Sequence, residues 1–283
     1  MKKTIVITGM IFVLLSLAGF IFFHVSANAK LDKRNYHQEM IPTLFFHGFG
    51  SSYRAEQHMT NAAKEAGVTK TIIRADVDDH GQVKLSGDIP KDAINPIVQV
   101  SYADNRNPDK ERLTLYATNV VKALQNKYGF AKINMVAHSL GNLSILYYLQ
   151  AHGHDKSYPQ VMKMVNIANT VNGLEGLDLP DGLEIDEKTG RPSKMTTRYR
   201  QLLSLRDTLP KDQIDVLNIY GDKDGTGSDG SVINTSSRSL KYLMAETAKS
   251  YQEKKFTGAK AQHSQLHENP EVDKVLIDFI WGK

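Results

Sequence analysis

From Ile41 onward, short apolar runs alternate with stretches whose apolar residues recur at helical spacing, and few folds accommodate that pattern. Ile41–Phe46, Lys70–Arg74, Ile97–Tyr102, Ile133–Ala137, Lys163–Ala168 and Asp215–Tyr220 read as strands. Between them, Ala55–Ala66 and Leu143–Gln150 read as helices. The best-defined helix carries Leu113, Tyr116, Ala117, Val120, Val121 and Leu124 along one face, spaced as a core-facing stripe requires. A last helix opens with Asn269 as cap and Pro270 at its first position, and buries Val272, Val275, Leu276, Phe279 and Ile280. Strands alternating with helices predict an α/β fold with a mostly parallel sheet covered on both faces. Ligands of such sheets bind at the carboxyl ends of the strands.

The 283 residues suffice for one such domain. The formal charge of +4 falls to +2 without Lys2 and Lys3, which offers no concentrated basic face for nucleic acid. There is no cysteine, which excludes disulfides, thiolate metal sites and cysteine nucleophiles. Lys2 and Lys3 precede an uncharged apolar run from Thr4 to Phe23, then Ser26-Ala27-Asn28-Ala29. Residues 1–29 therefore read as a secretory signal with an A-x-A site, or as a retained anchor, since the run is also long enough to span a bilayer. Both readings put the domain over 30–283 outside the cell, secreted or associated with the membrane through the N-terminal segment. Within it, 173–198 lapses into Gly, Pro and charge and reads as an insertion, either a lid over an apolar pocket or a solvated loop.

Ala137-His138-Ser139-Leu140-Gly141 joins a buried strand to a helix. A nucleophile elbow needs that setting: a sharp turn holds the serine strained with its hydroxyl exposed, and small residues two before and two after let the backbones approach. Ser139 is the candidate nucleophile, and His138 reads as a packing or turn residue. His47-Gly48-Phe49-Gly50-Ser51-Ser52 follows the first strong strand. The main-chain N–H groups of Phe49 and Leu140 are the candidate oxyanion donors, and His47 supports the loop.

A serine hydroxyl at neutral pH needs a base, and the base an orienting carboxylate. The expected chain order is nucleophile, acid, base. Asp229, in Ser-Asp-Gly-Ser-Val, is the preferred acid, with Asp222 and Asp224 as rivals just after a strand. The same loop half resembles a calcium loop but has Ile233 where a bidentate glutamate belongs. His263 is the preferred base, after a last short strand and loop from Phe256, and His267 is its rival. His263-Ser264-Gln265-Leu266-His267 lacks the glutamate of a metalloprotease pair, so no metal or organic cofactor is expected.

The chain from about Ile41 onward resembles the uncharacterised α/β-hydrolases of Gram-positive bacteria, often described as cell-surface hydrolases. The resemblance rests on H-G-F-G-S-S at His47, A-H-S-L-G-N at Ser139 and V-N-I-A-N-T-V-N-G ending at Gly173. It rests equally on S-D-G-S-V at Asp229, S-S-R-S-L-K-Y-L from Ser236 and A-Q-H-S-Q-L-H-E-N at His263. It implies the α/β-hydrolase fold, a Ser139–Asp229–His263 triad, and Phe49 and Leu140 as oxyanion donors. Ala137 departs from the usual first glycine of the elbow, and Asn142 from a frequent later one, which bears on helix packing or on the edge of the site. The expected activity is hydrolysis of a small-molecule or lipid ester in the lipase or carboxylesterase manner. Acyl transfer and a catalytically silent binding module on the same scaffold are the alternatives.

Overall fold

A computed structural model describes residues 31–283, so the leader read over 1–29 lies outside the described residues. Eight strands form one sheet: β1 (Thr43–Phe46), β2 (Ile72–Val77), β3 (Val83–Ser86), β4 (Ile97–Tyr102), β5 (Lys132–His138), β6 (Gln160–Ile167), β7 (Asp215–Asp222) and β8 (Ser250–Thr257). Their order is β3-β2-β4-β1-β5-β6-β7-β8, and only β3 runs antiparallel to its neighbour. The central strands are buried on both faces, which is why Thr43–Phe46 and Ile133–His138 read as continuous apolar runs rather than alternating ones.

Helices cover both faces. On one side α2 (Lys110–Tyr128) and α3 (Gly141–His152) pack on the sheet, joined by α4 (Thr197–Leu202), α5 (Leu205–Thr208) and α7 (Leu240–Met244). On the other side lie α1 (Gln57–Glu65) and α8 (Pro270–Trp281), and α6 (Asn234–Arg238) packs against β7. The stripe read over Leu113–Leu124 is buried as expected. The Asn269 side chain caps α8 by accepting from the Glu271 N–H at 3.0 Å. Among the described residues, no helix is long and apolar enough to cross a membrane.

Several elements differ from the sequence reading. The strand expected at Lys70–Arg74 runs over Ile72–Val77 and pairs with β3, a half-exposed edge strand with no apolar run to announce it. The strand expected to begin at Phe256 starts at Ser250, because β8 is the other edge and its Gln, Glu and Lys residues face water. The short helices α6 and α7 replace an unassigned stretch.

The chain enters this fold at the amino ends of the strands. There the Asp32 N–H bonds the Gly67 carbonyl at 2.9 Å, and Tyr36 bridges to Gly282. The motifs singled out above lie at the opposite, carboxyl ends.

Candidate active site

The turn from β5 into α3 is built by close approach. Ser139 adopts a left-handed φ of 52°, a conformation that costs a non-glycine residue energy and throws its side chain out of the turn. A Cβ at Gly141 would lie 2.4 Å from the Phe46 carbonyl oxygen, so β1 tolerates no side chain there. Ala137 is buried in the core. Asn142, the second departure from the family pattern, is fully buried and ties the turn down. Its amide donates to the carbonyls of Ser139 (2.9 Å) and Ile167 (3.0 Å), while its oxygen accepts from Asn166 (2.8 Å).

Ser139 Oγ lies 2.9 Å from His263 Nε2, and His263 Nδ1 lies 2.9 Å from Asp229 Oδ2. The three side chains come from elements 124 and 34 residues apart and meet above the carboxyl ends of β5, β7 and β8. Asp229 is 1% exposed, and its Oδ1 accepts the N–H groups of Ser231 (2.9 Å) and Val232 (2.8 Å). An ionised carboxylate only accepts, so it places the imidazole proton on Nδ1 and leaves Nε2 free to take the serine proton.

The turn after β1 abuts the serine: a Cβ at Gly48 would come within 3.0 Å of Ser139 Cβ. His47 braces that turn. Its Nε2 accepts the Tyr102 N–H at 3.0 Å, which leaves the proton on Nδ1 to donate to the Gly48 carbonyl at 2.8 Å. Burial holds the His47 pKa below the ordinary histidine value, in keeping with a neutral bracing role. Asn105 pins the far side, its carbonyl accepting from Gly50 and its amide donating to Ser51. The Phe49 and Leu140 N–H groups have no protein acceptor among the described residues. The Phe49 side chain is 59% exposed.

The model of a family described as alpha/beta hydrolase of unknown function (DUF915) matches residues 30–283. The chain belongs to that family. Among solved structures, this hydrolase is similar to a Listeria innocua gene product at 25% identity, with a TM-score of 0.78 over 86% of this chain and 94% of that one. It is also similar to a protein described as a cell surface hydrolase from Lactobacillus plantarum, at 22% identity and a TM-score of 0.67, over 85% of this chain and 90% of that one. The comparison with curated proteins gives no match.

The rival residues of the hydrolase sit elsewhere. Asp222 pairs with Lys255 at 2.6 Å and accepts the Gly227 N–H at 3.1 Å, so it shapes the loop that carries Asp229. The Lys255 ammonium holds the Asp222 carboxyl below the usual carboxylate range. Asp224 meets Lys223 at the surface. His267 packs edge-on against His138 and lies 3.3 Å from Glu268, and burial lowers its pKa. Among the described residues no cluster of His, Asp and Glu is spaced to hold a metal ion.

The 173–198 segment of the hydrolase forms no helix before Thr197 and is docked along its length. The Glu175 N–H bonds the Ser231 carbonyl at 2.9 Å, and its carboxylate meets the Ser228 hydroxyl, both in the loop carrying Asp229. Further on, Ile185 bridges to Pro192, and Glu187 pairs with Arg238 of α6 at 2.6 Å. Asn172 then clamps the chain near Lys194 and Thr196. Leu183 is buried under this strap, whereas Leu177 stands 77% exposed.

Proposed function

We propose that this α/β hydrolase is an exported serine esterase that cleaves carboxylic esters through an acyl-enzyme on Ser139. The reading is carried by one observation, the continuous contact Ser139 Oγ–His263 Nε2, His263 Nδ1–Asp229 Oδ2, each 2.9 Å, at a strained elbow. Ser139 Oγ attacks the acyl carbon while His263 Nε2 takes its proton. Asp229 keeps the imidazole in the useful tautomer and stabilises the cation that forms. The Phe49 and Leu140 amides receive the oxyanion, an arrangement in which one donor is worth about 3 kcal/mol. His263 then returns the proton to the leaving alcohol, the acyl-enzyme forms, and a water activated by the same base releases the acid. The domain runs over 30–283, and the charged, apolar and small-residue order of 1–29 supports export, with the segment cleaved or kept as an anchor.

The test is hydrolysis of p-nitrophenyl esters with acyl chains from acetate to palmitate, beside Ser139→Ala, Asp229→Ala and His263→Ala. Turnover that collapses in all three variants supports the reading. If esters are left intact but a fluorophosphonate probe labels Ser139, the nucleophile stands and the acyl substrate is of another kind. A folded protein that neither turns over nor labels is a binding module, and the proposal fails.

A further inference from the structure

His138 ends β5 and immediately precedes Ser139, yet its ring turns to a different partner. It is 5% exposed, and its Nε2 lies 2.9 Å from the main-chain oxygen of His263. A carbonyl only accepts, so Nε2 carries the proton and Nδ1 is bare. The bare side faces the oxyanion turn, where a Cβ on Gly48 would come within 3.1 Å of Nδ1. The ring also packs 4.9 Å from the ring of His263 and 4.7 Å from that of His267. One side chain thus touches the oxyanion turn and the loop of the base, and is joined by a peptide bond to the nucleophile.

The loop of the base depends on such contacts. Gln262–Gln265 lie between two short 3-10 turns and belong to no helix or strand. The main chain of His263 offers only one donor and one acceptor. Its N–H goes to the Asp229 carbonyl at 3.0 Å, and its carbonyl goes to His138. We infer that His138 is a positioning residue that grips the main chain of His263 through Nε2–H and holds its imidazole between Ser139 and Asp229. This assignment rests on the proposed role of Ser139 and His263. Burial, and then the nearby His263, keep the His138 pKa well below the ordinary histidine value, which suits a group that must remain neutral beside a transient imidazolium.

The test compares His138→Gln, whose amide nitrogen can replace Nε2–H, with two donor-free variants, His138→Leu and the ring-bearing His138→Phe. The readouts are Tm, kcat and KM on p-nitrophenyl butyrate, and the low-field proton resonance of the His263–Asp229 hydrogen bond. The donor-free variants are expected to lose about 10- to 100-fold in kcat with KM within about two-fold, as a misplaced base should. They should also lose or broaden the resonance. His138→Gln should recover kcat to within about five-fold of the unmodified protein and keep the resonance. Donor-free variants that lower Tm but keep kcat and the resonance overturn the assignment, as does a Gln variant no better than Leu. If the unmodified protein turns over no ester, the esterase reading fails separately, and the resonance still decides whether His138 holds His263.

Discussion

His263 is joined to Asp229 twice, once through the ring (Nδ1 to Oδ2, 2.9 Å) and once through the main chain (N–H to carbonyl, 3.0 Å). The second bond orients the loop, and the first orients the imidazole. A carboxylate that met only the ring would leave the backbone of a turn residue free to drift. The pairing also separates Asp229 from the two other aspartates of its loop.

That separation predicts a split between activity and stability. Asp229→Asn should lower kcat by about 10⁴-fold by favouring the wrong imidazole tautomer, with little change in the Ser139 geometry. Asp222→Asn should keep most of the activity but lower Tm, because Lys255 loses its buried partner. Ester turnover and thermal melts on the two variants check this. An Asp222 variant as inactive as the Asp229 variant would move the acid.

At the oxyanion turn, the main chain and the side chain of Phe49 should separate in the same way. Phe49→Ala keeps the N–H and removes an exposed ring, so kcat on short esters should hold. Phe49→Pro removes the donor and should lower kcat by about 10²- to 10³-fold. Equal effects from the two would place the oxyanion donor elsewhere.

Gly141→Ala should destroy the fold rather than tune the site. The added methyl would meet two carbonyl oxygens of β1 and its following turn, at 2.4 and 2.8 Å, and backbone cannot swing aside as a side chain can. A loss above about 4 kcal/mol is expected, the range reserved for buried steric or polar conflict. Soluble yield and urea unfolding measure it.

Two buried histidines each make the protein less resistant to acid. His47 and His138 are held neutral by burial, with pKa values below the ordinary 6.5. As pH falls below about 6.5, the unfolded chain takes up protons that the folded chain refuses, so stability drops by up to about 1.4 kcal/mol per pH unit for each. Urea unfolding at pH 7.5 and 5.5 gives the slope, which His138→Gln should make shallower. A slope that His138→Gln leaves unchanged contradicts the assignment of a neutral His138.

Glu56 acts in the opposite direction. Both carboxyl oxygens are buried without a hydrogen-bond partner, and burial pushes its pKa well above the usual 4.5. A raised folded pKa means stability that is fully present below the unfolded value and lost as pH climbs through the folded one. Glu56→Gln should therefore gain Tm relative to the unmodified protein, and gain more at pH 8 than at pH 5. A gain that does not vary with pH would mean that Glu56 is not being ionised.

The parts of the fold legible in the sequence are those where burial alone dictates residue type. Ile97–Tyr102 matches its strand residue for residue, and Asn269-Pro270 marks the start of α8, because a core strand and a helix cap each impose a local pattern. The edge strands β3 and β8 were harder, since a strand with one wet side carries lysines and glutamates that resemble loop. Ser139, Asp229 and His263 stood out through local motifs, and the structure brings their side chains together. The grip of His138 on His263 spans 125 residues and leaves no local trace, because a histidine before the serine looks the same whatever its ring meets. Asn142 shows the converse: it looked like a departure at the edge of the site, and its three hydrogen bonds lash the elbow to β6.

The attachment of Asp32 beside Gly67 bears on how the molecule would stand on a surface. Asp32 is tied to the floor of the sheet, while Ser139 lies at its roof. Held by that end, the protein would turn the carboxyl ends of its strands, and Ser139 with them, away from the surface that holds it.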